Sequence, residues 1–148
     1  MPIKIKKIKK SNDLNIGVVG YSAAKFDKQE ADKMLKDAFD KIDEKYPDKT
    51  KIVVSGLTDI GIPSLAYREA VKRKWKTVGI ACSKADEDEL FPVDKKIIVG
   101  NEWGDESPVF LKSIDIMVKI GGGKQSIKEC KEFKESGKEV INYFLPKL

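Results

Sequence analysis

Ile116-Met117-Val118-Lys119-Ile120-Gly121-Gly122-Gly123-Lys124-Gln125-Ser126-Ile127-Lys128-Glu129 decides the fold: an apolar run, three glycines and the opening of a helical pattern. α/β folds build a phosphate-binding corner this way. Glycine lets the backbone approach a ligand or adopt φ > 0, and the start of the helix offers unsatisfied N–H groups to an anion. Gly121, Gly122 and Gly123 are therefore expected to supply backbone contacts and Ser126 a hydroxyl, with Glu129 one turn further along. Three consecutive glycines cost roughly 1 kcal/mol each in ordered structure, more than a mere connector requires.

The turn is not a Walker A loop. That motif needs glycine where Val118 stands and Ser or Thr where Gln125 stands, so a nucleoside triphosphatase is disfavoured. Nor does G-x-G-x-x-G follow the first apolar run, and the standard dinucleotide fingerprint is missing.

Outward from the turn, strand and helix patterns alternate. Asn15 to Tyr21 reads as a buried strand ending near Gly20. Asp27 with Glu30 forms a capping box, and Ala31, Met34, Leu35, Ala38, Phe39 and Ile42 then recur at helical spacing until Pro47. Lys51 to Ser55, Thr77 to Cys82, Lys96 to Gly100, Asp115 to Ile120 and Val140 to Phe144 read as further strands. Helices are expected from Pro63, over Ser107 to Ser113, and over Gln125 to Glu135. Near-continuous apolar strands alternating with helices predict an α/β domain of three layers, with a mostly parallel sheet covered on both faces. Ligands in such folds sit at the carboxyl ends of strands where the winding reverses. The loops after strands one, two, four and five are thus expected to meet in one crevice.

Each of those loops carries candidate residues. After strand one come Gly20, Tyr21, whose ring is a candidate for stacking on a base, and Ser22. After strand two, Ser55-Gly56-Leu57-Thr58-Asp59-Ile60-Gly61 resembles a half-site for sugar or phosphate, with Ser55, Gly56, Thr58 and Gly61 as its contacts. After strand four, Asn101-Glu102-Trp103-Gly104-Asp105-Glu106-Ser107 brings three carboxylates and a tryptophan. If Glu106 and Glu129 share the crevice, burial and mutual repulsion raise one pKa, giving the acid and base of a hydrolytic pair.

Composition narrows the classes. The 148 residues, 41% hydrophobic, suffice for one ordinary domain, expected over 14–148. The net charge of +5 is matched by Lys4, Lys6, Lys7, Lys9 and Lys10, which leave the rest of the chain neutral; segment 1–13 reads as a basic arm or edge strand. A nucleic-acid partner would call for a basic stripe on the folded surface, so none is expected. No apolar run approaches the roughly 20 residues that cross a bilayer, and the reading is a soluble, cytoplasmic protein without a membrane partner. Histidine is absent and only Cys82 and Cys130 occur, so neither a disulfide framework nor a metal site is expected.

The small-residue loop after strand one, S-G-x-T-x-x-G after strand two and G-G-x-x-S-x-x-E after strand five together resemble the Rossmann-like lysine-decarboxylase-like superfamily. Its members include lonely-guy phosphoribohydrolases and molybdenum-cofactor carrier proteins. The likeness covers Asn15 to Leu145. In the hydrolases the best motif reads P-G-G-x-G-T-x-x-E: Gly122, Gly123 and Glu129 match, while Gly121, Gln125 and Ser126 replace proline, glycine and threonine. The resemblance implies a Rossmann-like fold, a nucleotide or molybdenum cofactor as the small phosphate-bearing ligand, and pairing as a homodimer through helices beside the site. It also implies an arginine near position 106 in the hydrolases, where Glu106 reverses the charge and would repel phosphate. The expected function is a carrier- or sensor-like binding of a nucleotide or nucleotide-derived ligand. The alternative is hydrolysis of the N-glycosidic bond of nucleoside monophosphates, with Glu129 and Glu106 catalytic.

Overall fold

A computed structural model describes residues 12–148. The basic segment expected over 1–13 lies outside the described residues except for Asn12 and Asp13, and Asp13 already opens the first strand.

Among the described residues six strands, β1 (Asp13–Gly20), β2 (Thr50–Ser55), β3 (Lys76–Ala81), β4 (Lys95–Ile98), β5 (Ile116–Ile120) and β6 (Glu139–Tyr143), form one sheet in the order β4-β3-β2-β1-β5-β6. Every neighbouring pair is parallel. The centre is the most apolar: β1 is buried from Leu14 to Val19, as expected of a strand covered on both faces. At one edge, β4 exposes Lys95 and Lys96, charges that blunt an open strand against further pairing.

Among the described residues four α-helices cover the faces: α1 (Lys28–Lys45), α2 (Gly61–Lys72), α3 (Ser107–Ser113) and α4 (Lys124–Glu135). The α1 start follows the capping expectation, since Asp27 Oδ1 accepts from the Glu30 N–H at 3.1 Å. Its buried stripe of Ala31, Leu35, Ala38, Phe39 and Ile42 joins α2 and one sheet face in the larger apolar cluster. On the opposite face Phe110 of α3 and Cys130 and Phe133 of α4 pack with Val19, Val54, Ile80 and Met117. Among the described residues no helix is long and apolar enough to cross a membrane.

Winding proceeds from β1 outward to β4, then crosses back through α3 to lay β5 against the other side of β1. The reversal lies between β1 and β5, and the carboxyl ends of these two strands carry Gly20 and Gly121. The sheet topology therefore puts the glycine turn at the position where α/β folds hold ligands.

Candidate functional site

A crevice of about 560 Å³ opens at this reversal, within the 300–1,000 Å³ typical of small-molecule sites. Its walls come from the segments after β1 and β2, the end of β3, the start of α3, and the turn leading into α4. All four loops expected to converge do so. Gly20, Tyr21, Ser22, Ser55, Gly56, Thr58, Glu106, Gly122, Gly123, Ser126 and Glu129 line it.

Gly61 and Gly121 do not line the crevice; they close the packing behind it. Gly61 has φ +63° and a side chain there would meet the Tyr21 carbonyl at 2.3 Å, while Gly121, at φ +58°, lies against the Tyr21 ring. Gly122 also has positive φ, +113°, and abuts Ser126. Positive φ and close packing at Gly121 and Gly122 mean that the turn itself requires two of the three glycines, so their entropy cost alone does not point to a ligand. Gly123 is different. Its φ is −91°, nothing lies within 4 Å of where its side chain would project, and the same open space borders Gly56. These two positions leave bare backbone beside the crevice.

Gly123 is the N-cap of α4, and no side chain caps that helix. The unsatisfied amides of the first turn are thus available to a ligand, in contrast to α1, where Asp27 occupies the equivalent place.

Several hydroxyls among the site residues also have partners within the fold. Ser55 Oγ donates to the Val18 carbonyl at 2.7 Å, Ser126 Oγ to the Gly20 carbonyl at 3.2 Å, and the Tyr21 hydroxyl to the Leu145 carbonyl at 2.8 Å. The Tyr21 ring stacks on Phe26. Sequence patterns could not separate these roles, because a hydroxyl at a strand end suits a ligand or a neighbouring carbonyl equally. Thr58 forms an isolated antiparallel bridge with Leu90, which braces its loop. Tyr67, fully buried, directs its hydroxyl to the carbonyls of Gly56 (2.7 Å) and Val78 (2.9 Å) and holds the Gly56 backbone in place.

The acidic loop sorts its three carboxylates. Glu102 pairs with Lys84 at 2.7 Å, and Asp105 Oδ2 accepts from the N–H groups of Asn101 and Glu102. Only Glu106 turns inward. Its Oε1 accepts from the Gly104 N–H at 3.0 Å and its Oε2 from Gln125 Nε2 at 3.0 Å. The same Gln125 nitrogen lies 3.4 Å from Glu129 Oε2, which also accepts from Ser107 Oγ at 2.6 Å. Gln125 and Ser107 therefore join the two buried carboxylates into one network. Both oxygens of Glu106 are engaged, whereas Glu129 Oε1 has no hydrogen-bond donor among the described residues.

Burial raises the Glu129 carboxyl above its ordinary 4.5, the Ser107 and Gln125 hydrogen bonds oppose this, and the charge of Glu106 adds to it. A carboxyl with a raised folded-state pKa contributes stability below its ordinary range and loses that contribution as pH climbs through the folded pKa. Glu129→Gln keeps the Ser107 contact without the charge. It is expected to raise the melting temperature by about 3 °C at pH 8 and to leave it unchanged at pH 4, as thermal melts across that range would reveal. A variant no more stable than the parent at pH 8 would contradict the burial account.

Trp103, half exposed, lines the crevice mouth. Tyr21 and Trp103 are thus both aromatic residues of the crevice wall. Lys124, Gln125 and Lys147 are further polar residues of the crevice lining, and Ser107 joins them through its hydrogen bond to Glu129. Gln125 and Lys124 stood inside the quoted turn and were legible as helix-start polar residues. Lys147 carried no local signal.

A parallel sheet in this order, a glycine turn at the reversal and a crevice with an uncapped helix start define a Rossmann-like α/β protein, and the family-model match places it in the lysine-decarboxylase-like superfamily. Within it the chain belongs to the SLOG cluster4 family, whose model matches residues 13–145. No curated protein matches by sequence. Among solved structures the fold is similar to the molybdenum cofactor binding protein of the phototrophic bacterium Rippkaea orientalis, with TM-score 0.72 and 20% identity over 91% of this chain and 78% of that one. It is also similar to the molybdenum cofactor carrier protein of Chlamydomonas reinhardtii, with TM-score 0.69 and 21% identity over 88% and 76%. A structural-genomics target, TM1055, gives TM-score 0.68 and 23% identity over 86% and 72%.

Proposed function

We propose that the protein binds a small phosphate-bearing heterocyclic ligand, nucleotide or phosphorylated pterin, and acts as a carrier or sensor. The observation that carries this reading is the uncapped start of α4 opening beside the bare backbone of Gly123 and Gly56. Amides there receive the phosphate, as helix starts do. Trp103 offers a face for the ring. Glu129 Oε1 offers an acceptor for a ring edge that donates hydrogen bonds, such as the 2-amino-4-oxo edge shared by guanine and pterin, and Glu106 keeps Gln125 in position.

The likeness in fold to the molybdenum cofactor carrier and binding proteins supports the carrier form of this reading. That cofactor is a phosphorylated pterin, and the residues present suit its phosphate and its amino edge. Calorimetric titration with a panel of nucleoside monophosphates and phosphorylated pterins tests the proposal. A guanine or pterin member is expected to bind; silence across the panel would refute the reading.

A second reading, N-glycosidic hydrolysis, is favoured by one observation, the pairing of Glu129 and Glu106 through Gln125. Against it, the chain's two arginines, Arg68 and Arg73, are both outside the crevice, and the guanidinium implied by the hydrolases has no counterpart. Release of free base from nucleoside monophosphates decides the matter. Turnover that falls about a hundredfold in Glu129→Gln would establish the hydrolase reading.

A further inference from the structure

After β6 the chain turns back across the segment that follows β1. Leu145 is buried in the apolar layer of α1 and α2, its carbonyl accepts from the Tyr21 hydroxyl at 2.8 Å, and the Leu148 N–H donates to the Lys25 carbonyl at 2.9 Å. Two hydrogen bonds and a buried leucine thus hold Pro146 and Lys147 between them as a strap. Lys147 lines the crevice.

We propose that Lys147 is a specificity-determining residue that engages the anionic group of the ligand in this crevice, an inference that rests on the ligand reading above. Three observations lead to it. Among the described residues neither Lys147 nor Lys124, the other lysine on the crevice wall, has a carboxylate partner, although eleven ion pairs form elsewhere. The strap is anchored in the α1 and α2 layer, whereas Glu106 and Glu129 arrive from α3 and α4 on the other face of the sheet. A ligand seated between them meets Lys147 on one side and the acceptors Glu106 and Glu129, with the start of α4 and Lys124, on the other. The strap's anchors fix the backbone that carries this lysine, and its ammonium presents three donors that suit a phosphate.

The partner chemistry is therefore a phosphomonoester attached to a hydrogen-bond-donating ring, and selectivity against the dephosphorylated ligand is the property the strap adds. The test titrates the full chain and its Lys147→Gln and Lys147→Glu variants with guanosine 5′-monophosphate and with guanosine. Lys147 is exposed, and both variants are expected to melt as the parent does. Monophosphate binding is expected to weaken roughly threefold in Lys147→Gln and more than tenfold in Lys147→Glu, with guanosine affinity unchanged within about twofold. Equal losses for the two probes, or unchanged monophosphate affinity in Lys147→Glu, would overturn the role of Lys147 while leaving the ligand reading in place. If the unaltered protein binds neither probe, the ligand reading fails and this inference with it.

Discussion

Replacing Gly123 with aspartate is expected to weaken binding of a phosphorylated ligand about a hundredfold, close to 3 kcal/mol, in a protein that stays folded. The reason is present within the same chain. At the start of α1, Asp27 occupies the N-cap and its carboxylate accepts from the Glu30 N–H. At the start of α4 the N-cap is Gly123, whose φ of −91° any residue adopts and whose side-chain direction is open space. Aspartate there would copy the α1 cap, satisfy the amides from within and repel a second anion. Stability should change by only a few tenths of a kcal/mol, since glycine and aspartate are both accepted N-caps. Calorimetry gives the affinity and a thermal melt gives the fold; a stable variant with undiminished affinity would put the phosphate elsewhere.

Gly122→Val is expected to have the opposite profile, a loss of about 3–5 kcal/mol in folding free energy. At φ +113° the backbone is strained for any β-branched residue, and the first added carbon would stand 2.6 Å from the Ser126 side-chain carbon and 3.3 Å from the Gly20 backbone. Neither neighbour yields easily, since Ser126 is buried and donates to the Gly20 carbonyl. Against a total stability of about 5–15 kcal/mol for an ordinary domain, this is a large fraction. Urea unfolding followed by circular dichroism measures it, and a midpoint within 0.5 M of the parent's, marked here as roughly 1 kcal/mol by the usual slope, would refute the packing argument. The two adjacent glycines thus separate fold from function: one closes the turn and the other leaves room beside it.

That separation marks the limit of what the sequence discloses. The elements were legible because their signals are local. The mostly buried runs of β1, β2 and β5 and the helical stripe on α1 are clear in the sequence, and the α1 cap reads directly from Asp27 and Glu30. The convergence of loops followed from parallel winding. Helix α2 begins at Gly61, two residues before Pro63, because the Ile62 N–H is satisfied by the Tyr21 carbonyl, a contact made across the fold. Within the site the same limit applies. Glu129, Glu106 and Gly123 could be named from the glycine turn and the acidic loop, but Tyr21, Ser55 and Ser126 owe their structural roles to carbonyls distant in sequence. Lys147 reaches the crevice only through the path of the chain after β6.

The central claim, that the start of α4 receives a phosphate, is tested most directly by a crystal structure of the protein with guanosine 5′-monophosphate bound. The expected result is a phosphate oxygen about 3 Å from the backbone nitrogens at Gly123 to Gln125, with the ring between Trp103 and Glu129. Density that places the phosphate away from those amides, with the crevice filled some other way, would contradict it.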